Sequence, residues 1–184
     1  MIEQKNDRRV RRTKKTLIEA LTKLMAEKKI NNITVTELTN LADVNRSTFY
    51  LYYKDIYDMV EKVESEMLDD FTREYTKCFK STTTYENLLS FFTYLFEFVQ
   101  LNAKMCKVLL GPDGDYAFLE KLKDVLKSQS CWDNDVVNIK LQYYDPFIIS
   151  GCIGVIQQWL DHDMKEAPKD MASMIVELFH IELL

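Results

Sequence analysis

Asn45, Arg46, Ser47, Thr48, Tyr50 and Tyr52 fall within eight consecutive residues, with Lys54 two positions further on. They are hydrogen-bond donors, acceptors and planar rings set around a few apolar anchors. A helix with that polar front and an apolar back suits a DNA major groove, whose base edges present donor and acceptor patterns. The catalytic inventory is thin by comparison. There are two histidines, His162 and His180, on what read as different helices, and no HExxH, GxSxG, Walker or GxGxxG motif. Asp161-His162-Asp163 reads as a polar helix end rather than a metal corner. Gly111-Pro112-Asp113-Gly114-Asp115 lacks the alternating oxygen ligands and terminal Glu of a calcium loop, so it reads as a turn. Cys78, Cys106, Cys131 and Cys152 form no CxxC pair, so reduced, packed thiols are expected rather than a disulfide or metal site. No enzyme and no cofactor is expected.

Those polar residues need elements to hold them. Leu17, Ile18, Leu21, Leu24 and Met25 repeat at helical spacing within residues 8–29. Arg8, Arg9, Arg11, Arg12, Lys14 and Lys15 crowd the start of that segment, an arrangement unfavourable for a lone helix. It reads as a solvated arm or, beside the helix-turn-helix that follows, as an arm facing phosphates. Thr34-Val35-Thr36-Glu37 matches a capping box, with Thr34 as N-cap and Glu37 reaching back from the third position. The helix it opens carries Leu38, Leu41 and Ala42 and must end at the turn-like Asp43-Val44-Asn45. Asn45 can cap a third helix, Arg46–Tyr53. Two short helices joined by about three residues make a helix-turn-helix. A fourth helix follows Lys54-Asp55, with Met59, Val60, Val63, Met67, Phe71 and Tyr75 as its stripe.

The run from Ile33 through Thr34-Val35-Thr36-Glu37-Leu38, then Ala42-Asp43-Val44-Asn45-Arg46-Ser47-Thr48-Phe49-Tyr50-Leu51-Tyr52-Tyr53-Lys54-Asp55, resembles the DNA-binding domain of the tetracycline-repressor (TetR) family. The resemblance covers about residues 8–60. It implies that Thr34 and Thr36 bind phosphate and that Asn45, Arg46 and Ser47 read base edges, with Arg46 forking onto a guanine. It further implies that Thr48, Tyr50 and Tyr52 touch phosphates and thymine methyls, and that Lys54 adds charge at the backbone. Phe49 and Tyr53 are core positions. The chain departs from the family pattern at Ile56, where a lysine is usual.

The remaining two thirds read as a helical bundle. Leu88–Val99 is apolar nearly all round, and Phe118, Leu119, Leu122, Val125 and Leu126 mark another helix. Residues 127–135 read as a loop. From Val136 to His162 runs a long apolar segment in which Pro146 either kinks the helix or starts a new one capped by Asp145. Ser150, Gly151 and Gly154 inside it suggest close approach to another helix, and Met171, Met174, Ile175, Leu178 and Phe179 repeat along the last helix. Two apolar helices at the chain end suggest a four-helix interface between copies. The family resemblance implies the same, with Gly151, Gly154, Met171, Met174, Ile175 and Leu178 as interface candidates. Residues 105–126 with 151–160 are similar to a C-terminal type found in Firmicutes-like members. Phe91, Tyr94, Leu95, Phe98, Tyr143, Tyr144 and Trp159 are candidates for an apolar effector pocket with hydroxyl handles.

The expected architecture is therefore all-α. A helix-turn-helix DNA-binding domain spans residues 1–55. A larger helical domain for ligand binding and dimerisation spans 56–184, joined to it by the helix at about 56–80. Composition fits. Four glycines and three prolines all lie at or beyond residue 111, so the first 110 residues read as unbroken helices and short polar turns. The net charge of -5 hides a split: residues 1–60 carry twelve Lys and Arg against eight Asp and Glu, the rest twelve against twenty-one. No run of about 18 apolar residues suggests a membrane span, and the basic start lacks the apolar region of a secretory signal. A cytoplasmic homodimer on double-stranded DNA, responsive to a small-molecule effector, is the expected function. A co-regulator of the same fold acting through protein partners is the alternative.

Overall fold

A computed structural model describes residues 2–78, 84–111, 116–128 and 139–181. They form nine α-helices with no strand among the described residues: α1 (Ile2–Glu27), α2 (Val35–Ala42), α3 (Arg46–Phe49), α4 (Ile56–Cys78), α5 (Tyr85–Leu101), α6 (Ala103–Leu110), α7 (Tyr116–Ser128), α8 (Ile139–Asp161) and α9 (Pro168–Ile181). A 3-10 turn, Ile30–Asn32, precedes α2. The chain divides into two compact units, Met1–Glu66 and Met67–Leu184.

In the first unit, Leu17, Ala20, Leu21 and Leu24 of α1 share a core with Ile33, Leu38, Ala42, Phe49 and Tyr53. Ile56, Met59 and Val60 complete it, so the first turns of α4 belong with the helices before them rather than with a domain starting at residue 56. The helix α1 begins well before Arg8, so the basic cluster sits inside a helix and not at its positive end. Thr34 caps α2 as expected, its Oγ1 accepting from the Glu37 N–H at 3.2 Å. The capping box is only half made, because the Glu37 carboxylate takes both its bonds from Lys28 Nζ. A charge-assisted contact of this kind is about twice as strong as a neutral one. α2 ends at Asp43, which is left-handed at φ 52°, ψ 44°. The Val44 N–H closes the turn on Thr39 O at 3.0 Å. A Cβ in that region is costly. Asp43→Gly should stabilise the protein by about 0.5–1 kcal/mol, read as a higher urea midpoint. An unchanged or lower midpoint would mean that the aspartate side chain supports the turn.

In the second unit, α5 packs on α9 and α6 on α8, with α7 against both α6 and α8. Phe92, Phe96 and Val99 of α5 and Met171, Ala172, Ile175 and Val176 of α9 are all buried. α8 runs through Pro146 without a break, so the alternative of a new helix capped by Asp145 is not realised. α7 includes Lys127 and Ser128, which read as loop in the sequence; residues 129–135 of that loop lie outside the described residues, as do Cys131 and the 112–115 part of the Gly111 turn. After α8, Asp163 and Met164 are both left-handed, at φ 57° and 53°. Their N–H groups bond Leu160 O and Trp159 O at 3.2 and 2.9 Å, and Lys107 Nζ holds the Asp163 carboxylate at 3.0 Å.

Candidate nucleic-acid interface

Asn45 shapes the start of α3. Its Oδ1 accepts from the Ser47 N–H at 2.9 Å and from Ser47 Oγ at 2.8 Å. The acceptor oxygen expected at a base edge is therefore spent on the cap, and Ser47 is turned back onto it. Arg46 is different. It is exposed, and its Nη2 and Nε donate to Tyr50 Oη at 3.0 and 3.4 Å, with the guanidinium 5.6 Å from that ring's centroid. One turn of helix thus pre-orients a planar fork on the surface, lowering the ordering cost of a later contact. Thr34 and Thr36 are exposed on the first turn of α2, Thr48 and Tyr52 are half-buried, and Lys54 is exposed.

The recognition helix is shorter than the sequence suggested: it ends at Phe49, not at Tyr53. Leu51 N–H and Tyr52 N–H bond back three residues, to Thr48 O and Phe49 O, at 3.3 and 3.0 Å. The chain thus tightens into a 3-10 turn, a common way to satisfy the last carbonyls of a helix. Phe49 and Tyr53 are both core residues, as expected, with ring centroids 5.5 Å apart. Burial pushes the Tyr53 hydroxyl up to about 12, with Glu66 and Asp58 adding to the effect. Ile56, the departure from the family pattern, is buried in the same core.

Three further features escaped the sequence reading. Leu51 is 75% exposed beside Tyr50, an apolar group of the kind that touches thymine methyls. Tyr57, next to Ile56, is exposed and donates to Asn31 Oδ1 at 2.8 Å. Lys62 on α4 donates to Tyr52 O at 3.0 Å and to Asp58 Oδ2 at 2.8 Å, and the same carboxylate oxygen accepts from the Lys54 N–H at 2.9 Å. The Lys62 bond, then the Lys54 N–H, hold the Asp58 carboxyl below the usual carboxylate range. The i, i+4 spacing of Asp58 and Lys62 was readable; the reach to Tyr52 O was not. Lys62→Met should cost under about 1 kcal/mol of stability. It should also speed amide exchange selectively around Tyr52 and Tyr53; uniform exchange would show that Lys62 does not pin this turn.

The proposed effector residues have different surroundings among the described residues. Trp159 is buried edge-on against Phe96 at 5.1 Å, and its Nε1 donates to Glu166 O. Phe91 is buried among Phe71, Tyr75 and Phe92. Tyr94 stacks on Phe98 at 6.1 Å, and both are half-buried, as is Leu95. Tyr143 is 70% exposed, so it faces away from any core, and the side chain of Tyr144 lies outside the described residues. A cleft of about 310 Å³ lies elsewhere, between Lys107, Leu110 and Gly111 on one side and Gly154, Gln157 and Asp161 on the other. Burial pushes the Cys106 and Cys152 thiols up to about 12, away from the thiolate form that reacts.

The interface candidates divide. Met171 and Ile175 are buried within the chain itself, because that side of α9 is already covered by α5; they are not free to face a copy. Met174 and Leu178 are exposed. Gly151 and Gly154 are exposed, and a Cβ at either would meet nothing within 4 Å. The expected close approach to another helix therefore does not occur among the described residues. Phe147, 64% exposed, was missed; Tyr143, Phe147, Gly151 and Gly154 share one face at spacings of 4, 4 and 3.

A family model described as a transcriptional regulator C-terminal region matches residues 86–180. The Bacillus subtilis HTH-type transcriptional regulator YxbF, itself uncharacterized, is 24% identical over 172 residues, covering 87% of this chain. The chain spans only 43% of that relative's length. Among solved structures, a TetR transcriptional regulator from Streptococcus agalactiae superposes with a TM-score of 0.61 at 20% identity, covering 96% of this chain and 98% of the other. The Bacillus subtilis regulator FadR, solved with stearoyl-CoA, gives 0.61 at 19% identity over 89% and 95%. At these identities the structural likeness speaks for the fold.

Proposed function

Because the chain belongs to the TetR family of transcriptional regulators, whose members are regulators and not enzymes, we propose that it is a repressor that binds a palindromic operator as a homodimer and is released from it by a small molecule. One observation carries the DNA reading: the exposed Arg46 fork, held by Tyr50 at the start of α3. Arg46 reads a guanine, Tyr50 and Leu51 approach thymine methyls, and Thr34, Thr36, Thr48, Tyr52 and Lys54 hold the backbone. Asn45 and Ser47 act by fixing the first turn of α3. Two-fold symmetry would space the half-sites about 34–36 Å apart, or a multiple of that.

The exposed face of Tyr143, Phe147, Gly151 and Gly154, with Met174 and Leu178, is the proposed contact between copies. An effector releases DNA only if it binds the DNA-incompetent dimer more tightly, and α4 is the proposed movable element. FadR was solved with stearoyl-CoA, which makes long-chain acyl-CoA the first effector class to test. No helix among the described residues is long and apolar enough to cross a membrane, which supports a cytoplasmic site of action.

Selection of bound duplexes from a random library tests the reading. Enrichment of an inverted repeat is the expected result. No enriched sequence, and no retarded band at low salt with or without acyl-CoA, would favour the co-regulator instead. The buried Ile56 in place of a phosphate-facing lysine is the observation on that side.

A further inference from the structure

The link from the recognition segment to α4 is bonded by side chains rather than by its own backbone. The Tyr53 N–H still bonds back, to Phe49 O at 3.0 Å. On either side of it, Tyr52 O and the Lys54 N–H have no backbone partner among the described residues. Tyr52 O accepts from Lys62 Nζ at 3.0 Å, and the Lys54 N–H donates to Asp58 Oδ2 at 2.9 Å. Between them, the Tyr53 ring centroid lies 5.6 Å from the same ammonium. Asp58 and Lys62, one turn apart on α4, are joined at 2.8 Å. One ion pair thus touches three consecutive residues.

The outer two, Tyr52 and Lys54, are those assigned above to the DNA backbone; Tyr53 is buried between them. The Lys62 side chain is 47% exposed, yet its charge is spent inward, on a carbonyl, a carboxylate and a ring. An ammonium so engaged is not free to neutralise a phosphate. Asp58 is stranger still, since a carboxylate beside a DNA-facing surface opposes a polyanion on charge alone. What it contributes is geometric. We propose that Asp58 and Lys62 are positioning residues for DNA binding: they fix the Tyr52–Lys54 link so that Tyr52 and Lys54 meet the duplex backbone, and neither touches DNA itself. This rests on the DNA-binding reading above.

The test measures affinity for the selected operator, and its salt dependence, for the full chain and for Asp58→Ala, Asp58→Asn and Lys62→Met. Each variant is also placed in a Tyr52→Phe/Lys54→Ala background. Circular dichroism and titration of binding-competent protein separate folding from affinity. Asp58→Ala should weaken binding about three- to tenfold, although it removes a negative charge. Asp58→Asn, which keeps an acceptor for the Lys54 N–H, should weaken it less; on charge alone both would tighten it. Lys62→Met should weaken binding by a factor similar to that of Asp58→Ala. In the background that lacks the positioned groups, none of the three should weaken binding further, and Lys62→Met should leave the salt slope unchanged. Folded Asp58→Ala that binds as tightly as the parent, or tighter, overturns the proposal. So does a loss of about one unit of slope for Lys62→Met in the background, the mark of a direct phosphate contact. If Asp58→Ala does not fold, Asp58→Asn and Lys62→Met decide by the same criteria. If the unmodified chain binds no duplex even at low salt, the DNA-binding reading itself falls.

Discussion

Phe49→Ala should lower the stability of the first unit by about 3–5 kcal/mol. Phe49 has no exposed surface and packs edge-on to Tyr50 at 5.4 Å and tilted on Tyr53 at 5.5 Å. It is the one core side chain contributed by the four residues of α3. Its removal leaves a cavity under the segment that carries Arg46, with no second apolar anchor on α3 to close it. A small unit has only about 5–15 kcal/mol to lose, so the first unfolding transition should move to much lower urea and DNA binding should vanish with it. Phe49→Leu, which keeps most of the volume, should cost under about 1.5 kcal/mol and retain binding. Equal midpoints for the alanine variant and the parent would show that the motif is held by its caps alone.

Arg46→Ala should weaken binding to the selected operator by about 1–3 kcal/mol and relax base choice at one position of each half-site. Tyr50→Phe removes the hydroxyl that accepts from Nη2 but keeps the ring, so a smaller loss, of about 1 kcal/mol, is expected. Lys54→Ala is the contrast. It should weaken all sequences alike and flatten the salt dependence by about one unit of slope. Competition binding against single-base operator variants separates the two. If Arg46→Ala lowers every sequence equally, Arg46 holds a phosphate and base reading lies elsewhere on the segment.

Caps and core periodicity were legible because they are local. Thr34 and Asn45 announce helix starts through side chains that bond two or three residues on, whereas Phe49 and Tyr53 were marked as core by the family resemblance. Contacts across the fold left no such mark. Glu37 sits at the right place for a capping box, but Lys28, nine residues back, takes its carboxylate. A stripe such as Met171, Ile175 and Leu178 reports that one side of a helix is apolar, not which neighbour covers it; α5 claims the first two. α8 is apolar on most sides, so its sequence could not tell buried Trp159 from exposed Tyr143. The length of α3 was overestimated for a similar reason, since the side-chain pattern is nearly the same whether the backbone bonds back three residues or four.

The brevity of α3 limits how much one copy of the chain can specify. In motifs of this kind about three or four side chains reach base edges, and here Asn45 and Ser47 are partly occupied by each other. Four fully determined base pairs distinguish about 250 sequences, whereas a genome offers at least about a million competing positions. A single copy would therefore meet its word thousands of times by chance. Two copies reading eight positions raise the count to about 65,000, and DNA shape must supply the rest. On the proposed homodimer, addressing one promoter would then be a property of a pair of chains and of the spacing between their words, not of any side chain that reads them.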